Sequence, residues 1–263
     1  MRFTKLLRTR PRRPGSDGEH ELQERLGTKA RADRFYDDQV CHRLLPSMIE
    51  FVGRMSMMFV ATADGRGECD SSLRAGPEGF LAVLDDGHVA YPEYRGNGVM
   101  ASLGNIAENP HVGLLMIDFA EDLIGLHVNG TARVVDDADL RGDHPELPVD
   151  PVPGRRAELW VVVAVEEAYI HCRKHIPRMV PADRMRSWGT DGVKAKGGDY
   201  FGAAARRRTE EQPAELEPVG EAPEPRTEPE PVRGAPEPRA RPDEAPADPV
   251  AGRAGAGAAS WTS

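Results

Sequence analysis

Between residues 57 and 165, short apolar runs alternate with turn-forming residues in the rhythm of β-strands. The runs are MMFVATA (57–63), a more polar stretch around Ser71 to Arg74, FLAVL (80–84), HVAYP (88–92), VGLLMID (112–118), a long run from Leu123 to Val135, and WVVVAV (160–165). Asp64-Gly65, Asp85-Asp86-Gly87 and Asn129-Gly130 supply turn signals among them. A helical lead-in runs through Phe35, Val40, Leu44 and Leu45. Pro46 then either breaks it or starts a second helix, in which Met48, Ile49, Val52 and Met55 recur at three- and four-residue spacing. Only one helix interrupts the strands, from about Val99 to Glu108, and Asn109-Pro110 ends it. Strand following strand through tight turns predicts an α+β chain that is mainly β, an antiparallel barrel or meander and not a wound parallel sheet. WVVVAV suits a barrel wall covered by a helix or a second subunit, and equally an ordinary central strand.

The pattern stops at both ends of the chain. From about Gly202 the composition turns to Ala, Pro, Glu and Arg, and EAPEPR at 221–226 is echoed by GAPEPR at 234–239. With almost nothing apolar to bury, residues 202–263 cannot offset their ordering entropy and are expected to be a disordered tail. Residues 1–17 read as a basic disordered tail carrying Arg2, Lys5, Arg8, Arg10, Arg12 and Arg13. The folded domain is therefore expected at 18–201, with its barrel core at about 45–180.

Charge and cysteines narrow the class. A net charge of −9 gives no broad nucleic-acid footprint. Cys41, Cys69 and Cys172 are widely spaced and form no Cys-x-x-Cys pair, which points to a reducing compartment and a cytoplasmic protein. The basic N-terminus lacks the apolar core of a signal peptide, and no stretch approaches the roughly 18 apolar residues of a membrane span.

Two stretches carry candidate chemistry. In Tyr94-Arg95-Gly96-Asn97-Gly98, the glycines let the backbone approach a ligand, Arg95 offers a two-pronged donor, and the N–H groups opening the following helix face an anion. Asn97 and Ser102 add neutral hydrogen bonds, and a phosphomonoester fits such a cradle. The same residues also read as a plain strand-to-helix turn. Gly96-x-Gly98-x-x-Ala101 matches a dinucleotide fingerprint too, with Asp118 standing where a ribose-binding acid falls. Against a dinucleotide-fold dehydrogenase, Pro92-Glu93-Tyr94-Arg95 intervenes before the first glycine where the strand should run straight into it, and no alternation of strand and helix surrounds it. The second stretch is CDSSLRAGPEGF (69–80), in which Arg74 either balances the charge of a reduced, anionic ring system or is a surface arginine in a hairpin.

His171-Cys172-x-x-His175 brings three potential ligands together with no second cluster at ligand spacing, so packing or surface roles are expected and no metal is assigned. No Ser-His-Asp order or carboxylate pair stands out, and no catalytic residue is assigned.

Together these stretches resemble the pyridoxamine 5′-phosphate oxidase-like FMN-binding split barrels, in particular a bacterial branch of unassigned substrate. The resemblance is carried by FVATADGRGECDSSLRAGPEGF, by YRGNGVMASLGNIAENPHVGLLMIDF, by HVNGTARVV and, near the domain end, by YIHCRKHIPRM and GTDGVKAKGGDYF; it spans about residues 45–201. It implies a six-stranded split barrel with flanking helices, a homodimer, and FMN at the subunit interface. By position, Ser71, Ser72, Leu73 and Arg74 then line the ring and ribityl side, Arg95, Asn97 and Ser102 hold the phosphate, and Lys174 and Arg178 close the site. It departs from the oxidases proper, whose strand beside the flavin reads Arg-x-Val-Leu-Leu-Lys, whose later strand is followed by an Arg-Lys pair, and whose C-terminal substrate-binding pattern is missing here. Oxidation of pyridoxamine phosphate is therefore not expected. The reading is an oxidoreductase moving hydride or electrons to or from a small molecule. The alternative is a non-catalytic module that stores or senses a flavin, a deazaflavin or haem.

Overall fold

The computed structural model describes residues 13–180, 182 and 187–211. The chain divides into two compact units, Met1–Ala203 and Ala204–Ser263. Unit one holds the sheet. Its strands are β1 (Met57–Ala63), β2 (Cys69–Ala75), β3 (Ala82–Asp85), β4 (His88–Glu93), β5 (His111–Ile117), β6 (Gly125–Asp136) and β7 (Leu159–His171), and its helices are α1 (Asp17–Arg25), α2 (Lys29–Gln39), α3 (Pro46–Gly53), α4 (Ala101–Glu108) and α5 (Asp137–Asp143). In the second unit the described residues lie in α6, which spans Ala203–Glu211. The composition assigns these residues to the tail, yet the Ala-Arg-Glu content of 203–211 is that of good helix formers. Residues 1–12 and 212–263, where the rest of the two expected tails falls, lie outside the described residues.

Every strand pairing is antiparallel, in the order β2-β1-β5-β6-β7-β4-β3. The expectation of an antiparallel, mainly β fold with flanking helices holds. Among the described residues the strand count is seven where six were expected, and the sheet is not closed, since β2 and β3 form its two ends. No βαβ unit occurs among the described residues, which removes the dinucleotide-fold reading.

Alternation explains the two faces of the sheet. In β1, Met58, Val60 and Thr62 are buried while Phe59 and Ala61 face out. The inward residues join α3 and α4 in a core that includes Val52, Val60, Leu114, Val128, Val161 and Val163. On the other face, register aligns Leu73, Phe59, Leu115, His127 and Tyr169 in one row across five strands. Leu73 and Phe59 stay 54% and 38% exposed at one end of the row, with no apolar cover among the described residues, while Phe35 of α2 meets the Tyr169 ring at the other.

WVVVAV is buried on both sides because a second cluster forms behind it. Trp160 and Val162 pack with Ala90, Leu140 and Leu147, so α5 supplies the cover. That helix is absent from the hydrophobic pattern: DADLRGD carries one large apolar residue, and tertiary bonds hold it. Arg141 Nε donates to both Asp137 carboxylate oxygens at 2.9 Å, and Trp160 Nε1 donates to Asp137 Oδ1 at 2.7 Å.

One turn assignment changes. Asn129-Gly130 sits inside the unbroken strand β6, at a register shift against β7, and makes no turn. The chain reverses instead at 118–124, where Asp118 Oδ1 accepts the N–H groups of Ala120 and Glu121 at 2.9 and 3.0 Å and Oδ2 that of Asp122 at 3.1 Å. Burial opposes the charge on Asp118, but these donors and nearby Arg54 outweigh it and hold its carboxyl below the usual range. Asp118 is thus a loop-forming residue and not a ribose ligand.

Tyr91 shows the cost of one polar atom in the core. Its side chain is fully buried, and its hydroxyl has no hydrogen-bond partner among the described residues. Tyr91→Phe is expected to stabilise the protein by about 1 kcal/mol, since an unsatisfied buried hydroxyl carries a desolvation penalty of that order. A thermal midpoint that rises on this substitution checks it; a fall would mean that water or a neighbour satisfies the hydroxyl.

Candidate functional site

The strand β2, the end of β4, the loop after it and the start of α4 enclose a cleft of about 630 Å³. Ser72, Leu73, Arg74, Asn97 and Ser102 line it, so five of the nine sequence-derived candidates meet there. The pleat separates Ser71 from Ser72 and Arg74, although Leu73 shares the Ser71 face and still lines the cleft. Asp70, Ser72 and Arg74 are half-buried on one face of β2, whereas Ser71 points to the other face and is exposed. Ser71 is not a lining residue of the cleft in this chain.

Three cleft residues were not singled out from the sequence: Asp70, Glu93 and Trp188. Asp70 Oδ2 accepts hydrogen bonds from Ser72 Oγ at 2.8 Å and Ser102 Oγ at 3.2 Å, and the two hydroxyls lie 3.3 Å apart. Its place in the alternation with Ser72 and Arg74 was the available signal. Glu93, at the end of β4, accepts from Arg74 Nε at 2.7 Å in a pair whose side chains are only 20% (Arg74) and 14% (Glu93) exposed. Burial pushes the Glu93 carboxyl above its ordinary value, and Arg74 offsets part of that shift. Arg74 is therefore neither a free cation nor a surface residue. The lining charges are two carboxylates and one guanidinium, not the cationic cradle expected for an anion.

The loop before α4 differs as well. Asn97 Oδ1 accepts the N–H of Val99 at 3.0 Å, and Met100 takes a left-handed conformation with φ 56°, so the helix begins at Ala101 and not Val99. The Val99 N–H, expected to be open to a ligand, is already bonded. Val99 and Met100 themselves are exposed at the cleft and give it an apolar lip.

Arg95 does not line the cleft. Its guanidinium pairs with the carboxylate of Asp191, and both side chains are largely exposed. Lys174 and Arg178 lie away from the cleft. Lys174 belongs to an exposed 3-10 turn at Arg173–His175, and Arg178 Nη2 donates to Glu121 O at 3.4 Å beside the β5–β6 loop. Within a single chain, they do not close the site. In the His-Cys motif, His171 Nδ1 lies 3.0 Å from His127 Nε2, while Cys172 and His175 are exposed.

This cleft lies almost wholly within residues 44–172, which match the family model described as pyridoxamine 5′-phosphate oxidase. That match supports the pyridoxamine 5′-phosphate oxidase-like split-barrel family for residues 44–172. No match was found among curated proteins. Among solved structures, the chain is similar to HupZ of Group A Streptococcus at 19% identity over 48% of this chain and 91% of that one, with a TM-score of 0.35. It is similar to a conserved protein of unknown function from Corynebacterium diphtheriae at 16% identity over 51% and 97% of the two chains, TM-score 0.36. It is also similar to the FAD binding protein from Mycobacterium smegmatis at 16% identity over 50% and 97%, TM-score 0.34. Among the described residues, no helix is long and apolar enough to cross a membrane.

Proposed function

We propose that this protein is an FMN-binding oxidoreductase that acts as a homodimer and passes hydride or electrons to or from a small molecule. One observation carries the reading: the family-matched segment brings Ser72, Arg74, Asn97 and Ser102 into one cleft with an apolar lip. Its volume of about 630 Å³ falls within the range of roughly 300–1,000 Å³ usual for cofactor and ligand sites.

The residues fit a flavin in parts. Asp70, Ser72 and Ser102 form a network of acceptors and hydroxyls suited to a polyhydroxyl chain such as ribityl. Val99, Met100 and Trp188 offer apolar contact to a planar ring. Bound flavin supplies hydride and electron chemistry, while the protein binds, orients and screens it. Arg74 would present its guanidinium with Glu93 holding the side chain in place.

The phosphate is the less complete part, because the cleft carries two carboxylates against one guanidinium. A second chain resolves this in the proposed dimer. The exposed Leu73 and Phe59 offer it a surface, and Lys174 and Arg178, stranded from their own cleft, would serve the partner's.

The expected result is a purified protein of twice the chain mass in solution that takes up FMN at micromolar concentration, with absorption bands that bleach on reduction and return in air. A colourless protein that refuses FMN rules the reading out. Bands that form but never turn over with any donor and acceptor favour a storage or sensing module.

A further inference from the structure

The segment carrying Trp188 and Asp191 lies beyond the family-matched residues, yet it contributes to the cleft. Trp188 lines the cleft, meets the Tyr94 ring edge-on at 5.7 Å between centroids, and lies 5.4 Å beneath the Arg155 guanidinium. Gly189 has a φ of +63° and packs so tightly that an added Cβ would lie 2.5 Å from Gly154 Cα. Two residues on, the Asp191 carboxylate accepts from Arg95 and, at 3.0 Å, from Lys196 Nζ. The segment is thus seated by packing at its Trp188-Gly189 end and by charge at Asp191.

A carboxylate on a guanidinium makes the contact that a phosphate oxygen would make. Arg95 directly precedes Gly96 and Asn97, which line the cleft. A phosphate at that end of the cleft gains Arg95 only by displacing Asp191. The Arg95–Asp191 pair is 67% and 61% exposed, and exposed pairs are weak enough to be exchanged.

Resting on the flavin reading above, we infer that Asp191 is a specificity-determining residue: it competes for Arg95 and sets how strongly the cleft prefers a phosphorylated ligand over its unphosphorylated counterpart. Trp188 keeps it in reach. The pair therefore lowers affinity for the phosphate without touching recognition of the ring or the polyhydroxyl chain.

The test is titration of the full-length protein with FMN and with riboflavin, for wild type, Asp191→Asn, Arg95→Ala and the double variant. Asp191→Asn is expected to tighten FMN by about two- to fivefold, the size of an exposed ion pair, and to leave riboflavin unchanged. In the Arg95→Ala background the same substitution is expected to change neither ligand, because the competition has no object. Equal shifts for FMN and riboflavin would show that Asp191 only shapes the segment, and an unmoved FMN-to-riboflavin ratio would show no competition; either overturns the inference while the flavin reading stands. Failure of wild type to bind either ligand removes both.

Discussion

Gly130→Ala is expected to be the most damaging single-methyl change in the domain, costing about 3 kcal/mol or more. A Cβ at this position would lie 1.9 Å from the carbonyl oxygen of Ala164 and 3.0 Å from its carbon, both backbone atoms of the neighbouring strand. No side-chain rotation relieves that overlap. The β6 and β7 ladders must part at the register shift between Asn129 and Gly130, and these two strands form the longest pairing in the sheet. For a domain of this size, the thermal midpoint should fall by roughly 6–12 °C. Gly104→Ala is the informative contrast: it sits inside α4 with nothing within 4 Å of the new Cβ, so the same methyl should be neutral or stabilise by about 0.5–1 kcal/mol. Thermal denaturation of both variants decides the matter. A Gly130→Ala protein as stable as wild type would mean that the strands do not approach so closely there.

Arg74→Ala is expected to cost about 2–3 kcal/mol at neutral pH, in whichever state the cleft is found. The substitution leaves the Glu93 carboxylate without its 2.7 Å partner in a position only 14% exposed. Removing one member of a buried pair is expensive because the other charge stays desolvated, and the partial exposure of Arg74 places the cost below the roughly 3–5 kcal/mol of a fully buried pair. The pH dependence has a definite sign. Burial raises the Glu93 pKa in the folded protein, so the fold binds this proton more tightly than the unfolded chain does. The contribution of Glu93 therefore favours folding below its unfolded pKa and is lost as pH rises through the folded one. Arg74 limits that loss by stabilising the carboxylate. Without Arg74, the folded pKa rises further, and the deficit of the variant should be greatest near neutrality and shrink as the solution is acidified toward the carboxylate range. Urea unfolding of both proteins at pH 7 and near pH 5 measures this. An equal deficit at both values would assign the loss to the packing of the arginine stem instead of its charge.

Much of the fold was legible because strand signals are local. The alternation in MMFVATA and the apolar run VGLLMID place β1 and β5 within a residue or so, and Asn109-Pro110 marks the end of α4. Where a local signal had two readings, context chose. Asn-Gly is a turn pair in isolation, but here the glycine admits the backbone of a strand that follows more than thirty residues later in the chain. DADLRGD carries too little apolar surface to announce a helix, and Trp160 and Arg141 hold it in one. In the candidate site, both quoted motifs reached the cleft, yet the pleat turned Ser71 away while Asp70 came in with Ser72.

By itself, the sequence determined an antiparallel, mainly β domain and the two stretches that meet at its cleft. Periodicity, turn residues and short motifs act over a few positions, and those positions are contiguous in the chain. Only the tertiary structure decided the electrostatics. Arg74 is neutralised by a residue 19 positions away and Arg95 by one 96 positions away, and the sheet ends open with Leu73 and Phe59 facing outward. A charge has a sign in the sequence, but its effect depends on which opposite charge lies within a few ångströms and how much water is excluded around the pair. Folding sets both.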